Sequence, residues 1–255
     1  GKDMDETDAA LKKRFAELAG RAFAKGIYTY TDFLDMHSLH VLGTMTGSLD
    51  APFALSGGAQ GCERQMAMFG SEAVCGYEGV FPIACVAAVP LSARFADELT
   101  HRDFLGALMS LGVKREKLGD IVVRENGAYI FAHESIAPYI AENLIEVKHT
   151  SVRCTAGAKL SDNAGPKLVR ARIQCASARA DAVIARAYNL SREDAQTLFI
   201  KQKVFLNGAE LMRPGETLKT GDVVSVRGFG RFAYAGEAGL TRKGRLNIDI
   251  DKYGV

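Results

Sequence analysis

The side chains best suited to chemistry in this sequence are cations spaced along its last third. Arg179 and Arg186 lie two helical turns apart, and Arg192, Lys201 and Lys203 follow them closely. Guanidinium and ammonium groups bind phosphate, and arginine does so with two parallel hydrogen bonds. The spacing therefore predicts electrostatic binding of a polyanion.

We predict an RNA-binding site made of these cations and of the polar residues beside them. Its predicted members are Arg179, Asp181, Arg186, Ser191, Arg192, Lys201, Lys203, Asn207, Arg227, Arg231, Arg242, Lys243 and Arg245. Residues 175–255 contain 13 Lys/Arg against 9 Asp/Glu, whereas the rest of the chain contains 19 against 21. Attraction to a polyanion is therefore concentrated in the last third.

A second RNA patch is predicted in the middle of the chain. Its members are Arg102, Lys114, Arg115, Lys117, Tyr129 and Phe131. Tyr129 and Phe131 are two residues apart in a strand-like run, so they would share one face of a sheet, where aromatic rings can stack on bases. The competing interpretations are a capped helix with a solvated basic end, and two aromatic rings that pack onto helices.

Motifs for catalysis are missing from the sequence. His101-Arg102-Asp103 resembles part of a kinase loop, but Leu108 replaces the required asparagine and no phosphate-binding glycine loop precedes it. Gly228-Phe229-Gly230 lacks the third glycine of a dinucleotide site. The five cysteines form no Cys-x-x-Cys pair. We therefore predict no catalytic residue, no metal and no cofactor.

The composition is that of an ordinary globular protein, with 47% apolar and 24% charged residues over 255 positions. No apolar run approaches the length of a membrane span, and no signal segment is visible. We expect a cytoplasmic protein, monomeric and without a membrane partner.

An α+β fold with several parts is expected from the elements that position these residues. An amphipathic helix is predicted over 8–25, with Phe23 on its apolar face and Gly26 as its end, and a second helical or mixed segment should begin near Thr31-Asp32. Residues 1–78 would thus form a helical or mixed α/β region.

The middle of the chain predicts a ferredoxin-like β-α-β-β-α-β plait over 79–156, as in RNA-recognition modules. The expected elements are a strand over 81–89, a helix over 95–111, a hairpin of 120–124 and 128–132 about Asn126-Gly127, a helix over 134–143 and a strand over 146–155. Residues 157–172 are expected to be a linker or an extended loop, because the first part of this segment is rich in small residues.

Residues 173–255 predict two short basic helices, a tight Asn207-Gly208 turn and a closing strand. Ser191 should cap the second helix, with Asp194 at the capping-box position. Residues 176–227 resemble the S-four RNA-binding domain, named after a protein of the small ribosomal subunit. That motif often reads Arg-Leu-Asp, and here Ala180 replaces the leucine.

The full chain is similar to the YlmH-type RNA-binding proteins. The matching blocks are Gly57-Gly58 with Cys62-Glu63-Arg64, residues 101–108 with 112–121, residues 227–232, and residues 239–245. This resemblance implies a non-enzymatic protein that binds structured ribosomal or transfer RNA, associates with the large ribosomal subunit and acts in ribosome-associated quality control.

Two other classes of protein stay open on the sequence. One is an RNA-modifying enzyme, a pseudouridine synthase or a ribosomal RNA methyltransferase, that uses the small domain for targeting. Residues 1–155 show neither an Arg-Leu-Asp catalytic strand nor a glycine-rich cofactor loop. The other is a cell-division interaction protein that would dock through the N-terminal helix.

Overall fold

A computed structural model describes residues 2–92, 98–157 and 165–253. The chain has an α+β fold and divides into two compact units, residues 1–166 and residues 167–254. Each unit is described by itself below. Among the described helices, none is both long and apolar enough to cross a bilayer.

The first unit begins with helix α1, Lys2–Lys25, which ends at Gly26 with a positive φ of 61°. Phe15, Leu18 and Ala22 are buried on its inner face. The predicted helix is thus confirmed, but the placement of Phe23 on the apolar face is wrong, because its side chain is 62% exposed.

A three-stranded antiparallel sheet follows, with the strand order β1-β3-β2. Its elements are β1 Thr29–Leu34, α2 Met36–Gly43, β2 Phe53–Ser56, β3 Gln65–Phe69 and the short helix α3 Glu72–Cys75. The helical start expected near Thr31-Asp32 is wrong. The Thr29 hydroxyl donates to the Leu18 carbonyl and the Thr31 hydroxyl accepts from the Ala67 amide, so both threonines lie in a strand. The cap of α2 is Asp35.

The ferredoxin-like plait is confirmed. Its elements are β4 Ile83–Pro90, α4 His101–Ser110, β5 Leu118–Arg124, β6 Gly127–His133, α5 Ala137–Asn143, β7 Glu146–Val147 and β8 Thr150–Ala156. The strand order is β5-β6-β4-β8-β7, which is the order of a split βαβ with one short strand added at the edge. Helices α4 and α5 cover one face, where Phe104, Leu108 and Ile140 pack against Val86 and Ile130.

Three boundaries of the plait differ from expectation. Helix α4 begins at His101, where Thr100 and Asp103 cap each other, and residues 95–97 lie outside the described part. The last strand is a hairpin, because Lys148 adopts a φ of 57° between β7 and β8. The β5–β6 turn consists of Glu125 and Asn126, while Gly127 begins β6. A Cβ on Gly127 would lie 2.1 Å from the Ala88 carbonyl oxygen, so this glycine allows the neighbouring strand to approach.

The second unit is a six-stranded sheet with a pair of helices. Its elements are β9 Leu168–Cys175, α6 Ala180–Ala187, α7 Arg192–Ile200, β10 Val204–Leu206, β11 Ala209–Glu210, β12 Val223–Val226, β13 Gly230–Leu240 and β14 Leu246–Tyr253. The strand order is β11-β10-β12-β13-β14-β9. Asn207 and Gly208 both have positive φ, as a tight hairpin turn requires, and the expected helix pair is present.

The expected linker over 157–172 is only partly a connection. Residues 158–164 lie outside the described part, and residues from Leu168 onward belong to β9, which pairs with β14 along its whole length. Arg170 and Arg172 form ion pairs with Asp251 and Asp249 across these two strands. The sequence between Leu168 and Cys175 contains alternating cations rather than turn residues, which explains why it forms a strand.

Candidate nucleic-acid interface

Asp181 is the centre of the predicted site in the second unit. Its side chain is fully buried, and its carboxylate accepts hydrogen bonds from Arg179 Nε at 3.2 Å and from Arg192 Nη2 at 3.0 Å. Gln196 Nε2 at 3.2 Å is a further donor. Burial alone would raise the pKa of Asp181, but the donors Arg179, Gln196 and Arg192 outweigh it and lower that pKa. Asp181 therefore positions two arginines and has no surface for RNA.

The two arginines that bind Asp181 keep about half of their side chains in solvent, 47% for Arg179 and 49% for Arg192. Local structure fixes both. Arg179 lies just before α6 and pairs with Thr217 in an isolated bridge. Arg192 is the first residue of α7, whose cap is the Ser191 hydroxyl accepting from the Asp194 amide. Ser191 thus has a structural partner, as its predicted capping role requires.

Three of the predicted cations line one cavity of about 380 Å³. Arg186 comes from α6, Arg192 from α7, and Arg245 from the end of the β13–β14 hairpin. Residues nearly sixty positions apart in the chain therefore meet at one place, because β14 returns beside β9, which leads into α6. The sequence gives no signal for this meeting.

The other predicted residues of this unit are distributed around it. Arg227 lies over the Phe205 ring and Arg231 over the Tyr253 ring, at 4.8 and 3.8 Å from the ring centroids. Lys201, Arg242 and Lys243 are exposed, and Lys203 is half-buried. Asn207 donates to Asp222 and accepts from the Val223 amide, so its amide stabilises the turn.

The predicted second patch is largely occupied by contacts inside the first unit. Arg115 Nη1 donates to the carbonyls of Leu118 and Gly119, and burial, together with the nearby charge of Arg64, lowers the pKa of Arg115 to about 10. Lys117 forms a 2.6 Å ion pair with Asp32. Arg102 and Lys114 are exposed. Arg115 and Lys117 are thus engaged within the first unit, and the grouping of the four cations as an RNA patch stays a prediction.

The block Cys62-Glu63-Arg64 fastens the N-terminal sheet to the plait. The Asp120 carboxylate accepts from the amides of Glu63 and Arg64 at 2.7 and 2.9 Å. The Arg64 guanidinium donates to the carbonyls of Leu118, Arg115 and Phe33. Residues 62–64 and the block 112–121, which contains Asp120, both match one family in sequence. Only the fold shows that the two blocks bind each other.

Phe131 cannot stack on a base, because its side chain is fully buried. It lies on the sheet face opposite the helices, where it packs with Cys62, Cys85 and Val122. A Cβ on Gly58 would lie 2.6 Å from the Phe131 ring, which shows how closely the loop before β3 covers this face. The expectation of aromatic rings packing onto helices is therefore also wrong.

The same sheet face is open at its other end. Tyr129 is half-buried and pairs with Ala87 of β4, which pairs in turn with Thr155 of β8. Arg153 and Thr155 are exposed there and line a cavity of about 300 Å³ with Val89. Sequence reasoning missed Arg153 and Thr155, although their alternation in the last strand was a usable signal.

Two of the free cysteines lie in surroundings that disfavour the thiolate. Burial raises the pKa of both the Cys85 and the Cys154 thiol to about 11, so neither is a thiolate near neutral pH. Within residues 2–92, 98–157 and 165–253, no group of three His, Cys, Asp or Glu could hold a metal ion.

A ferredoxin-like plait together with a small unit that presents arginines is typical of RNA-binding proteins. Residues 81–159, which contain the plait, match the family model described as "Putative RNA-binding domain in YlmH". The chain is 32% identical over 227 residues to "Ribosome-associated protein quality control protein P2" of Bacillus subtilis strain 168, a match covering 87% of this chain and 86% of the relative. The chain belongs to the YlmH family.

A solved structure, "Cell division protein ylmH from Streptococcus pneumoniae", is also similar to this chain. It is 20% identical, with a TM-score of 0.48, and the match covers 59% of this chain and 90% of that one. The assignment of residues 176–227 to the S-four domain stays a prediction.

Proposed function

We propose that this protein is a non-enzymatic factor of the cytoplasm that binds structured ribosomal or transfer RNA on the large ribosomal subunit and acts in quality control there. The observation that carries the proposal is the buried carboxylate of Asp181, which holds two half-exposed arginines at the surface of the second unit. The name of the Bacillus subtilis relative, a ribosome-associated quality control protein, supports the setting.

The distribution of charge supports the helix pair as the RNA-facing part. Asp249 and Asp251 are paired with Arg172 and Arg170 on the strands β9 and β14. Two of the nine acidic residues in 175–255 are thus neutralised on the sheet, and the exposed cations Arg179, Arg186 and Arg192 of the helix pair are left to attract phosphate. Phosphate contacts of this kind supply most of the affinity for RNA and make it depend on salt.

The proposal contains no chemical step. The relative and the family model are named for quality control and RNA binding, which agrees with a binding role. Incubation of the purified protein with ribosomal and transfer RNA, with and without a methyl donor, should leave the nucleosides unchanged by mass spectrometry. A new pseudouridine or methylated base would favour the modifying-enzyme class instead.

The binding surface is tested by neutralising Arg179, Arg192 and Lys203 together to glutamine. Each phosphate contact contributes a slope of about −0.7 to −0.9 to the salt dependence of binding. The triple variant should therefore lose co-sedimentation with large subunits, and the slope of its remaining RNA binding should be shallower. Unchanged affinity and slope would refute the assignment.

The matched control is Arg213→Gln, which removes a cation from the same unit. Arg213 is 81% exposed, and it is paired with Glu216 outside the predicted site. The control should sediment with large subunits as the wild type does. Thermal unfolding of each variant shows whether the fold survives, so that a loss of binding can be separated from a loss of structure.

A further inference from the structure

The cavity between α6, α7 and the β13–β14 hairpin is surrounded by three arginines. Arg186, Arg192 and Arg245 line it, together with Ser191 at the beginning of α7. The remaining lining is small or apolar, so the cations are the only charged groups among the described residues that line it. A cavity of this composition suits a compact anion.

Small side chains leave the room for such an anion. Ala182 and Ala185 lie on the α6 side of the cavity, Ala176 lies at its edge, and buried Cys175 lies on its floor. The volume of about 380 Å³ exceeds that of a phosphate group and leaves space for water. Longer side chains at the alanines would fill it.

The three guanidinium groups differ in how much of their charge is available. Arg192 shares the carboxylate of Asp181. Arg245 donates to the Gln174 carbonyl, and among the described residues no acid is paired with it. Arg186 is exposed, and it forms no ion pair with any residue that the structure describes. Burial raises the pKa of the Cys175 thiol, and the charges of Arg186, Arg245 and Arg192 oppose that rise.

Arg245 reaches the cavity because of the turn that joins β13 to β14. The Thr241 amide donates to the Arg245 carbonyl, and the Thr241 hydroxyl accepts from the Arg245 amide. This turn belongs to the block 239–245, which matches the family in sequence. The helix pair alone does not explain what that block does. The hairpin thus supplies a cation that the two helices lack.

We propose that this cavity binds a single phosphodiester of the RNA, with Arg186 and Arg245 as its direct ligands and Arg192 at its rim. The inference rests on the proposed function and deepens it. Guanidinium groups bind phosphate oxygens in pairs of parallel hydrogen bonds, and the beginning of α7 adds a favourable dipole. The hairpin therefore takes part in RNA binding beside the helix pair.

Binding of the full chain to a fluorescein-labelled RNA stem-loop, measured at several KCl concentrations, tests the inference. The variants are Arg186→Gln, Arg245→Gln and their combination. Each single variant should weaken binding about tenfold, as expected for a charged hydrogen bond. Because both arginines bind one phosphate, the double variant should lose no more than about 0.9 from the salt slope.

Ala176 provides a matched pair of variants that leaves the arginines in place. Its side chain is exposed, so Ala176→Glu and Ala176→Gln should both fold. The glutamate should weaken RNA binding about tenfold because its charge would occupy the cavity, whereas the glutamine should have a much smaller effect. Arg213→Gln again serves as the charge control outside the cavity.

The outcomes separate the two proposals. If Arg245→Gln and Arg186→Gln bind RNA as Arg213→Gln does, the phosphate cavity is refuted while RNA binding by the helix pair stands. A double variant whose salt slope falls by about two phosphate contacts would also refute a single shared phosphodiester. Failure of the wild-type chain to bind any RNA would overturn the proposed function itself.

Discussion

In each unit of this protein an aspartate lies near two arginines, Asp120 in the first and Asp181 in the second, and the two arrangements serve opposite purposes. In the first unit Asp120 accepts from main-chain amides, while Arg64 and Arg115 direct their guanidinium groups to main-chain carbonyls. In the second unit Asp181 is buried and its arginines are half-exposed. The same residue types thus join two layers in one place and present charge to solvent in the other.

The difference shows that the role of an arginine depends more on its hydrogen-bond partners than on its charge. Arg64 is partly buried and directs its guanidinium to carbonyl oxygens inside the fold, and this burial lowers its pKa although the nearby charge of Asp35 opposes that shift. A shared carboxylate leaves outward donors on Arg179 and Arg192 free for phosphate oxygens, because each guanidinium has five N–H groups. Three predictions test this contrast, in order of expected effect.

The largest effect is expected for Asp181→Asn, which should damage both the stability and the RNA binding of the second unit. Hydrogen bonds to a charged group contribute about 1.5–3 kcal/mol each, and asparagine keeps only part of those that Arg179, Arg192 and Gln196 donate to the buried carboxylate. Urea unfolding should show a loss of about 3 kcal/mol. RNA affinity, measured on the folded fraction, should fall about tenfold because Arg179 and Arg192 lose their fixed positions.

The pH dependence of folding stability, compared between the wild type and Asp181→Asn, tests the role of the same carboxylate. Because the pKa of Asp181 is lowered in the folded state, its contribution to stability is present above the ordinary value of about 3.9 and is lost as the pH falls through the folded pKa. Asp181→Asn should show less of this acid loss. Equal acid profiles for the two proteins would contradict the role given to the carboxylate.

Arg64→Gln should destabilise the first unit and leave RNA binding by the second unit unchanged. The carbonyls of Leu118, Arg115 and Phe33 lose their donor, which costs about 2–3 kcal/mol for hydrogen bonds to a charged group. We expect a lower midpoint of urea unfolding and an unaltered salt slope of RNA binding. A stable Arg64→Gln variant with weakened RNA binding would reverse the contrast between the two regions.

The smallest effect is expected for Lys117→Met. Its ion pair with Asp32 is short, but both side chains are more than one third exposed, and surface pairs contribute only about 0–1 kcal/mol. Chemical denaturation should detect a loss of about 0.5 kcal/mol. A loss comparable to that of Arg64→Gln would mean that Lys117 belongs to the buried junction.

The sequence predicts the order of elements well, because strand alternation and glycine turns are local. The plait and the Asn207-Gly208 turn follow from such patterns. The segment near Thr31 was misassigned because its helix cap lies later, at Asp35, and the strand is stabilised by contacts with α1 and β3. The secondary structure of such a segment depends on contacts with residues that are distant in the chain.

The candidate site is predictable in its charges but not in its geometry. The cations of the last third are visible in the sequence, yet nothing local shows that Asp181 is buried or that Arg245 meets Arg186. Phe131 has the alternation of a base-stacking ring, and only the loop at Gly58 reveals that its face is covered. Burial and convergence depend on contacts between elements far apart in sequence.

The shared carboxylate of Asp181 makes the distance between two surface charges a fixed property of the protein. Arg179 and Arg192 cannot move apart without breaking a buried ion pair. If these two arginines bind RNA as proposed, phosphates that match that distance need no rearrangement of the side chains, whereas another spacing requires the pair to be broken first. The fixed spacing of the two arginines would then discriminate among RNA shapes before any base is contacted.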